Sequence, residues 1–279
     1  MTLTPLAGDF CFGEGPRWFE NLVWFSDMLG EAVHTVTLDG QMSTLELPGN
    51  YPSGLGFCPD GTLLIVSTEA RQVLRYDGES VEVYADLSDV VPAALGDLVI
   101  DSRGTAFVGS QAREGGVIVR LDPGDTRAGG ITVVAHDLDF PNGMVLTPDG
   151  TSLIVAESVA RRLTSFTIDT DQKLTNRTVF ADNLAGPPDG ICLDADGGVW
   201  AALTLAHEFV RIVSDNGDAR VTDRIDIGDR AAIACILGGP EDRTLFLVSA
   251  ADAYPQRLLG TRLGRLEATT VDVPAAAQP

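Results

Sequence analysis

The chain has 279 residues, 44 % of them hydrophobic, with 30 glycines and 15 prolines, a composition that supports a large core and many tight turns and argues against long helices. Forty acidic residues against 19 basic ones give a formal net charge of −21, so the molecular field repels phosphate backbones and anionic membrane surfaces, and neither nucleic acid nor membrane is expected as a partner. The N-terminal MTLTPLAGDF carries neither a basic n-region nor an apolar h-region, and no apolar run long enough to span a bilayer follows, so a cytoplasmic protein is expected.

Taken in chain order, six segments repeat one phrase: EGPRWFENLVWFSD from Glu14, PSGLGFCPDGTLLIVST from Pro52, LGDLVIDSRGTAFVGS from Leu95, PNGMVLTPDGTSLIVAES from Pro141, PDGICLDADGGVWAAL from Pro188, and the weaker ACILGGPEDRTLFLVSA from Ala234. The shared pattern is loop, short apolar strand, polar turn, second apolar strand, which is a β-hairpin signature. Further strand-like pairs lie between the hairpins, such as QVLRYDG with VEVYADL and RLTSFTID with TVFADNL. About four strands per unit and a period of about 45 residues predict an all-β fold, a six-bladed β-propeller of four-stranded antiparallel blades spanning residues 1–279 as one domain. A β-sandwich of similar strand content leaves the repeat length unexplained.

One position in the phrase varies while its neighbours persist. It holds Glu14, Ser53, Gly96, Asn142 and Asp189, with a sixth near Ala234. If this slot opens the innermost strand of each blade, rotation about the propeller axis gathers all six at one mouth of the channel. Two carboxylates in a narrow space, here beside a carboxamide, repel and raise each other's pKa unless a cation joins them. An all-oxygen donor set suits a hard divalent ion, calcium first and magnesium or manganese next, with zinc last. Taken singly, Asn142 and Asp189 also read as turn caps.

GEGPRW, FPNGMVLTPDG, PPDGICLDADGGVWAA and CILGGPEDRTLFLVSA resemble the senescence marker protein / gluconolactonase / luciferin-regenerating enzyme family, over essentially the whole chain. The resemblance implies a six-bladed propeller with one divalent metal, often calcium, in its channel, and hydrolysis of lactones or, in relatives, organophosphate esters. It places the metal ligands on Glu14, Asn142 and Asp189 and makes Asp189 the general base or nucleophile. Many relatives carry an Asn-Asp pair in the third blade; here Gly96 replaces the asparagine, Asp97 remains, and Ala94 stands where sugar-lactone relatives tend to have arginine. A roomier, more apolar mouth for a less hydroxylated substrate is therefore expected. Ser53, Gly96 and Asp97 are candidates for substrate contact. The SQAREGG loop after the third hairpin is positioned to overhang the same mouth; its Glu114 sits where some sugar-binding relatives place an acid but reads first as a solvent-facing one.

The remaining chemistry-bearing residues read as structural. His34 lies in a strand-like alternation, Trp18, Trp24 and Trp200 fall in or beside hairpin strands, and Cys11, Cys58, Cys192 and Cys235 lack any CxxC spacing and are expected to be reduced core thiols. The expected function is divalent-metal-dependent hydrolysis of a small cyclic ester. The alternatives are an organophosphate or other ester hydrolase on the same site, and a metal-stabilised binding propeller without catalysis. Oligomeric state is not encoded in any of these features.

Overall fold

A computed structural model describes residues 2–124, 130–215 and 218–277. Its strands form six four-stranded antiparallel sheets, the blades of a six-bladed β-propeller. Blades I to V each use four consecutive strands, beginning at Gly13–Phe19, Pro52–Phe57, Leu95–Ile100, Pro141–Leu146 and Pro188–Leu193. Blade VI is composite: Ala231–Gly238, Thr244–Ala250 and Arg265–Thr270 are completed by the N-terminal strand Thr4–Gly8, which pairs antiparallel with Arg265–Thr270. The two ends of the chain thus close the ring through backbone hydrogen bonds, a feature that the internal repeat does not predict.

The strand sequences follow from where each strand lies. Second strands such as Leu63–Ser67 and Val199–Leu203 are buried at every residue because neighbouring blades cover both faces, and they read as unbroken apolar runs. The outermost strand of blade V, Asp218–Asp226, meets solvent on one side and alternates. Six apolar clusters fill the six blade interfaces. Between blades I and II, Phe19 stacks on Phe57 at 3.8 Å and Trp24 meets the same ring edge-on; between VI and I, Trp18 stacks on Phe246 at 5.4 Å. Each fully buried Phe, Leu or Ile contributes roughly 1.5–3 kcal/mol, so the interfaces hold the ring together. Trp200 is core, as expected, while Trp18 and Trp24 are half-buried. Cys11, Cys192 and Cys235 are buried free thiols, but Cys58 is only half-buried, because it sits at the end of an inner strand.

A buried carboxylate ties the closure to blade I. Asp27 accepts hydrogen bonds from the backbone N–H groups of Cys11 and Phe12, both at 2.9 Å, and of Gly30 at 3.1 Å. Burial alone would raise its pKa, but a hydrogen bond from His34 and the three backbone donors outweigh burial and lower it. Asp27 therefore anchors the segment leading from the closing strand into the first blade. Asp27→Ala leaves buried N–H groups unsatisfied and should cost about 2–4 kcal/mol, read as a lower denaturant midpoint, with Asp27→Asn losing less. An unchanged midpoint in Asp27→Ala would contradict this anchoring role.

Candidate functional site

The varying slot is the second residue of each inner strand: Glu14, Ser53, Gly96, Asn142 and Asp189. In blade VI it is Ala232, two residues before the expected Ala234. Ala232 pairs with Ser249 as Glu14 pairs with Ser26. Cys192 and Cys235, each three residues beyond its slot, bring their sulfur atoms within 3.7 Å across the V–VI interface. The expected position was displaced because ACILGG lacks the Pro-x-Gly that marks the copies at Pro52, Pro141 and Pro188.

Two local devices aim the slots. A register irregularity accompanies every one, between Glu14 and Arg17, Pro52 and Leu55, Leu95 and Leu98, Pro141 and Met144, Pro188 and Ile191, and Ala232 and Ala234. A bulge there bends the strand and re-aims the adjacent side chain. The residue after the slot is glycine wherever inner strands approach most closely. A Cβ at Gly143 would lie 2.5 Å from the Asp189 carbonyl oxygen, and one at Gly54 would lie 2.6 Å from the Leu98 nitrogen.

The slots bring together a set of acids with little compensation. Asp189 and Asp97 are each 8 % exposed, Asn142 9 % and Ser53 4 %, while Glu14 is half-buried. Burial, then the neighbouring Asp97 charge, raise the Asp189 pKa to about 8, with Asn142 acting in the opposite direction. Burial, followed by the charges of Asp189 and Asp97, raises Glu14 well above the usual carboxylate range. Asp97 is also raised by burial, although the Arg17 guanidinium opposes this. Arg17 Nη2 donates to Asp97 Oδ1 at 3.1 Å and to the Leu98 carbonyl oxygen at 2.6 Å, crossing from blade I to blade III. With all three acids ionised, one guanidinium leaves two negative charges unbalanced.

Asn142 is held by a relay. Its Nδ2 donates to Ser158 Oγ at 3.3 Å, Ser158 Oγ donates to the Pro188 carbonyl oxygen at 2.6 Å, and Gln111 Nε2 donates to Asn142 Oδ1 at 3.3 Å. The carboxamide oxygen is thereby fixed, with lone-pair capacity remaining. Asp189 Oδ1, by contrast, is buried and has no hydrogen-bond partner. Among the described residues no group of three or more His, Cys, Asp and Glu side chains is arranged to hold a metal. A donor set of Glu14, Asp189 and the Asn142 carboxamide, with an orphaned carboxylate oxygen and a charge deficit of two, nevertheless has the chemistry a hard divalent ion requires.

The other predicted residues are placed as follows. Asp97 is engaged by Arg17 and by its neighbour's N–H. The Ser53 carbonyl oxygen accepts from Ser26 Oγ at 2.6 Å, tying blades I and II at the mouth. Glu114 is exposed in the loop after Ala106–Ser110. The mouth is not opened at Gly96 as expected, because the Gln111 side chain fills the space: a Cβ on Gly96 would meet Gln111 Nε2 at 2.4 Å. Sequence reasoning missed Arg17, Gln111 and Ser158; Arg17 left a signal, a charge among the apolar positions of an inner strand, and Gln111 lies in the SQAREGG loop expected at the mouth. The opposite end of the channel is mostly apolar. A cavity of about 110 Å³ there is lined by Phe57, Met144, Leu146 and Ile236 among others, with Arg17 as its one charged side chain, and is bounded by the C-terminal Ala275–Ala277 segment, which hydrogen-bonds to Leu193 and Asp242.

Fold and site together define a propeller with one polar mouth, built from the starts of its inner strands. The chain belongs to the SMP-30/Gluconolactonase/LRE-like family, whose sequence model matches residues 12–251. It is similar to pentonolactonase XacC of Haloferax volcanii, 26 % identical over 90 % of this chain and 86 % of that one. It is also similar to 6-deoxy-6-sulfogluconolactonase of Pseudomonas putida, 26 % identical over 96 % and 94 % of the two chains. Among solved structures, regucalcin of Agrobacterium tumefaciens, described as a calcium-binding protein, superposes with a TM-score of 0.79 over 99 % of this chain and 97 % of that one, at 22 % identity. These lactonase relatives support a hydrolase of the lactonase type acting on a small molecule.

Two outcomes follow from the electrostatics. In chelator above pH 8, Asp189→Asn removes one of the crowded, desolvated charges and should raise the melting temperature by a few degrees, corresponding to a gain on the order of 1 kcal/mol; a lower melting temperature would contradict the repulsion. Behind Asn142, Glu157 is fully buried and accepts from Arg162, Thr164, Arg177 and the Asp139 N–H. Burial opposes this network, yet the network holds the Glu157 pKa down to about 2 from 4.5. Its contribution to stability is complete above pH 4.5 and is lost as pH falls towards 2. The acid limb of the stability profile should therefore flatten in Glu157→Gln, and an unaltered limb would remove Glu157 as its source.

Proposed function

We propose that the protein hydrolyses a cyclic ester at the slot end of the channel, with Glu14, Asn142 and Asp189 holding one divalent cation, calcium before magnesium or manganese. The observation that carries this reading is Asp189: a desolvated carboxylate with an unpartnered oxygen, beside a second acid and an oriented carboxamide, in a cluster short of two positive charges. The names of the lactonase relatives support the reaction class. Calcium is favoured by the all-oxygen donors and by the description of the regucalcin structure as that of a calcium-binding protein.

When bound, the cation would supply Lewis-acid polarisation of the ester carbonyl. The protein's own groups do the rest. The Asp189 carboxylate either takes a proton from the attacking water and returns it to the ring oxygen as the C–O bond breaks, or attacks the carbonyl carbon itself, breaking that bond to give an acyl-enzyme that water then hydrolyses. Glu14 lies on the far side of the mouth from Asn142 in ring order and contributes negative charge without a role in proton transfer. Asn142, fixed by Ser158 and Gln111, offers a neutral oxygen that does not reorganise as charge develops. Arg17 pairs with Asp97 and opposes the rise that burial gives its pKa.

Turnover of a panel of sugar lactones and simple lactones, with and without chelator, tests the reading: hydrolysis that stops in chelator and returns with calcium is expected. Asp189→Ala should lower kcat by about 10²–10⁴-fold, whereas Ser53→Ala should change it less than about tenfold. Equal residual rates in the two variants would contradict the assignment of Asp189.

A further inference from the structure

Among the slots of blades I to V, slot III is the only one without a side chain, and its place is taken from elsewhere. A Cβ built on Gly96 would meet Gln111 Nε2 at 2.4 Å, its carboxamide carbon at 2.6 Å and its Cγ at 2.8 Å, so the Gln111 side chain lies where a slot side chain would project. The residue is held there from both sides. Its backbone N–H donates to the Ala94 carbonyl oxygen at 2.8 Å, Ser110 Oγ donates to that of Ala93 at 3.2 Å, and Ser110 pairs with Leu95. The loop after Ala106–Ser110 is thus fastened to the chain immediately before Gly96. At its other end, Gln111 Nε2 donates to Asn142 Oδ1, the side chain of the next slot.

We infer that Gln111 acts as the side chain of slot III, a positioning residue that orients the Asn142 carboxamide and adds a second carboxamide oxygen to the mouth. Gly96 and Gln111 form one functional unit: the glycine is required because the glutamine fills its space, and the glutamine is required because the strand supplies no amide. With its Nε2 committed to Asn142, Gln111 leaves Oε1 as the group it can present to a bound cation or to a hydroxyl of the substrate. The inference rests on the cation reading of the mouth given above, and it makes a claim of its own, that the third-blade donor is delivered by a loop and not by the inner strand.

The test is a titration of the full chain with calcium chloride, followed by calorimetry and by the calcium-induced shift in melting temperature. The proteins are the wild type, Gln111→Ala, Gln111→Leu, Gly96→Asn and the double variant Gly96→Asn/Gln111→Ala, each also melted in chelator to verify folding. Calcium affinity should fall about 10–100-fold in Gln111→Ala and equally in Gln111→Leu, which keeps the bulk but not the amide. Gly96→Asn should also bind more weakly, because its side chain collides with Gln111. The double variant, in which a strand-borne carboxamide replaces the loop-borne one, should recover most of the affinity. Wild-type affinity in both Gln111 variants, or a double variant no better than its parents, would overturn the inference and leave the cation reading standing. A wild type that binds neither calcium, magnesium nor manganese would overturn both, a result distinct from the first because it appears before any substitution is made.

Discussion

Adjacent inner strands meet so closely at the glycine that follows slots I, II, IV and V that a single added carbon on Gly54, Gly143 or Gly190 would enter the neighbouring backbone or Cβ. That approach is the constraint on which the rest of the molecule depends. It sets the narrowness of the channel at one end and, with the bulge that accompanies each slot, turns side chains distant in sequence towards one axis. The apolar interfaces supply the energy that holds the blades this close, and the composite sixth blade prevents the ring from opening.

The electrostatic character of the mouth follows from this narrowness. Three carboxylates brought into a desolvated space cannot all remain charged without cost, and Arg17 answers only one of them. The remaining imbalance is a standing penalty in the protein by itself and an attraction for a divalent ion, so the destabilisation of the mouth and its capacity for chemistry are two aspects of one arrangement. The far end of the channel, lined by Phe57, Met144 and Ile236, shows the contrast: its lining contains no carboxylate, and its one charged side chain is Arg17.

Much of this was legible in the sequence, for identifiable reasons. Hairpin turns and Pro-x-Gly phrases recur because each blade solves the same packing problem, so the repeat announces the propeller, and Glu14, Asn142 and Asp189 stand out against constant flanks. The closing strand Thr4–Gly8 left no mark, since an edge strand exposed at Thr4 and Pro5 needs no strong pattern. The sixth slot was displaced by two residues where the phrase decays. The SQAREGG loop was expected to overhang the mouth, but Gln111 was not singled out within it because the loop lies outside the repeat, and its presence reverses the expectation of an open, apolar gap at Gly96. Arg17 could have been noticed, but its partner Asp97 lies eighty positions away and is brought near only by the ring.

The central claim is that the crowded mouth holds one divalent ion between Glu14, Asn142 and Asp189. Anomalous diffraction from crystals grown with calcium or manganese addresses it most directly. A single strong anomalous peak on the channel axis, with oxygens of those three side chains at roughly 2.1–2.6 Å from it, is the predicted result; maps without a peak there, or with the ion bound only at surface carboxylates, would contradict it.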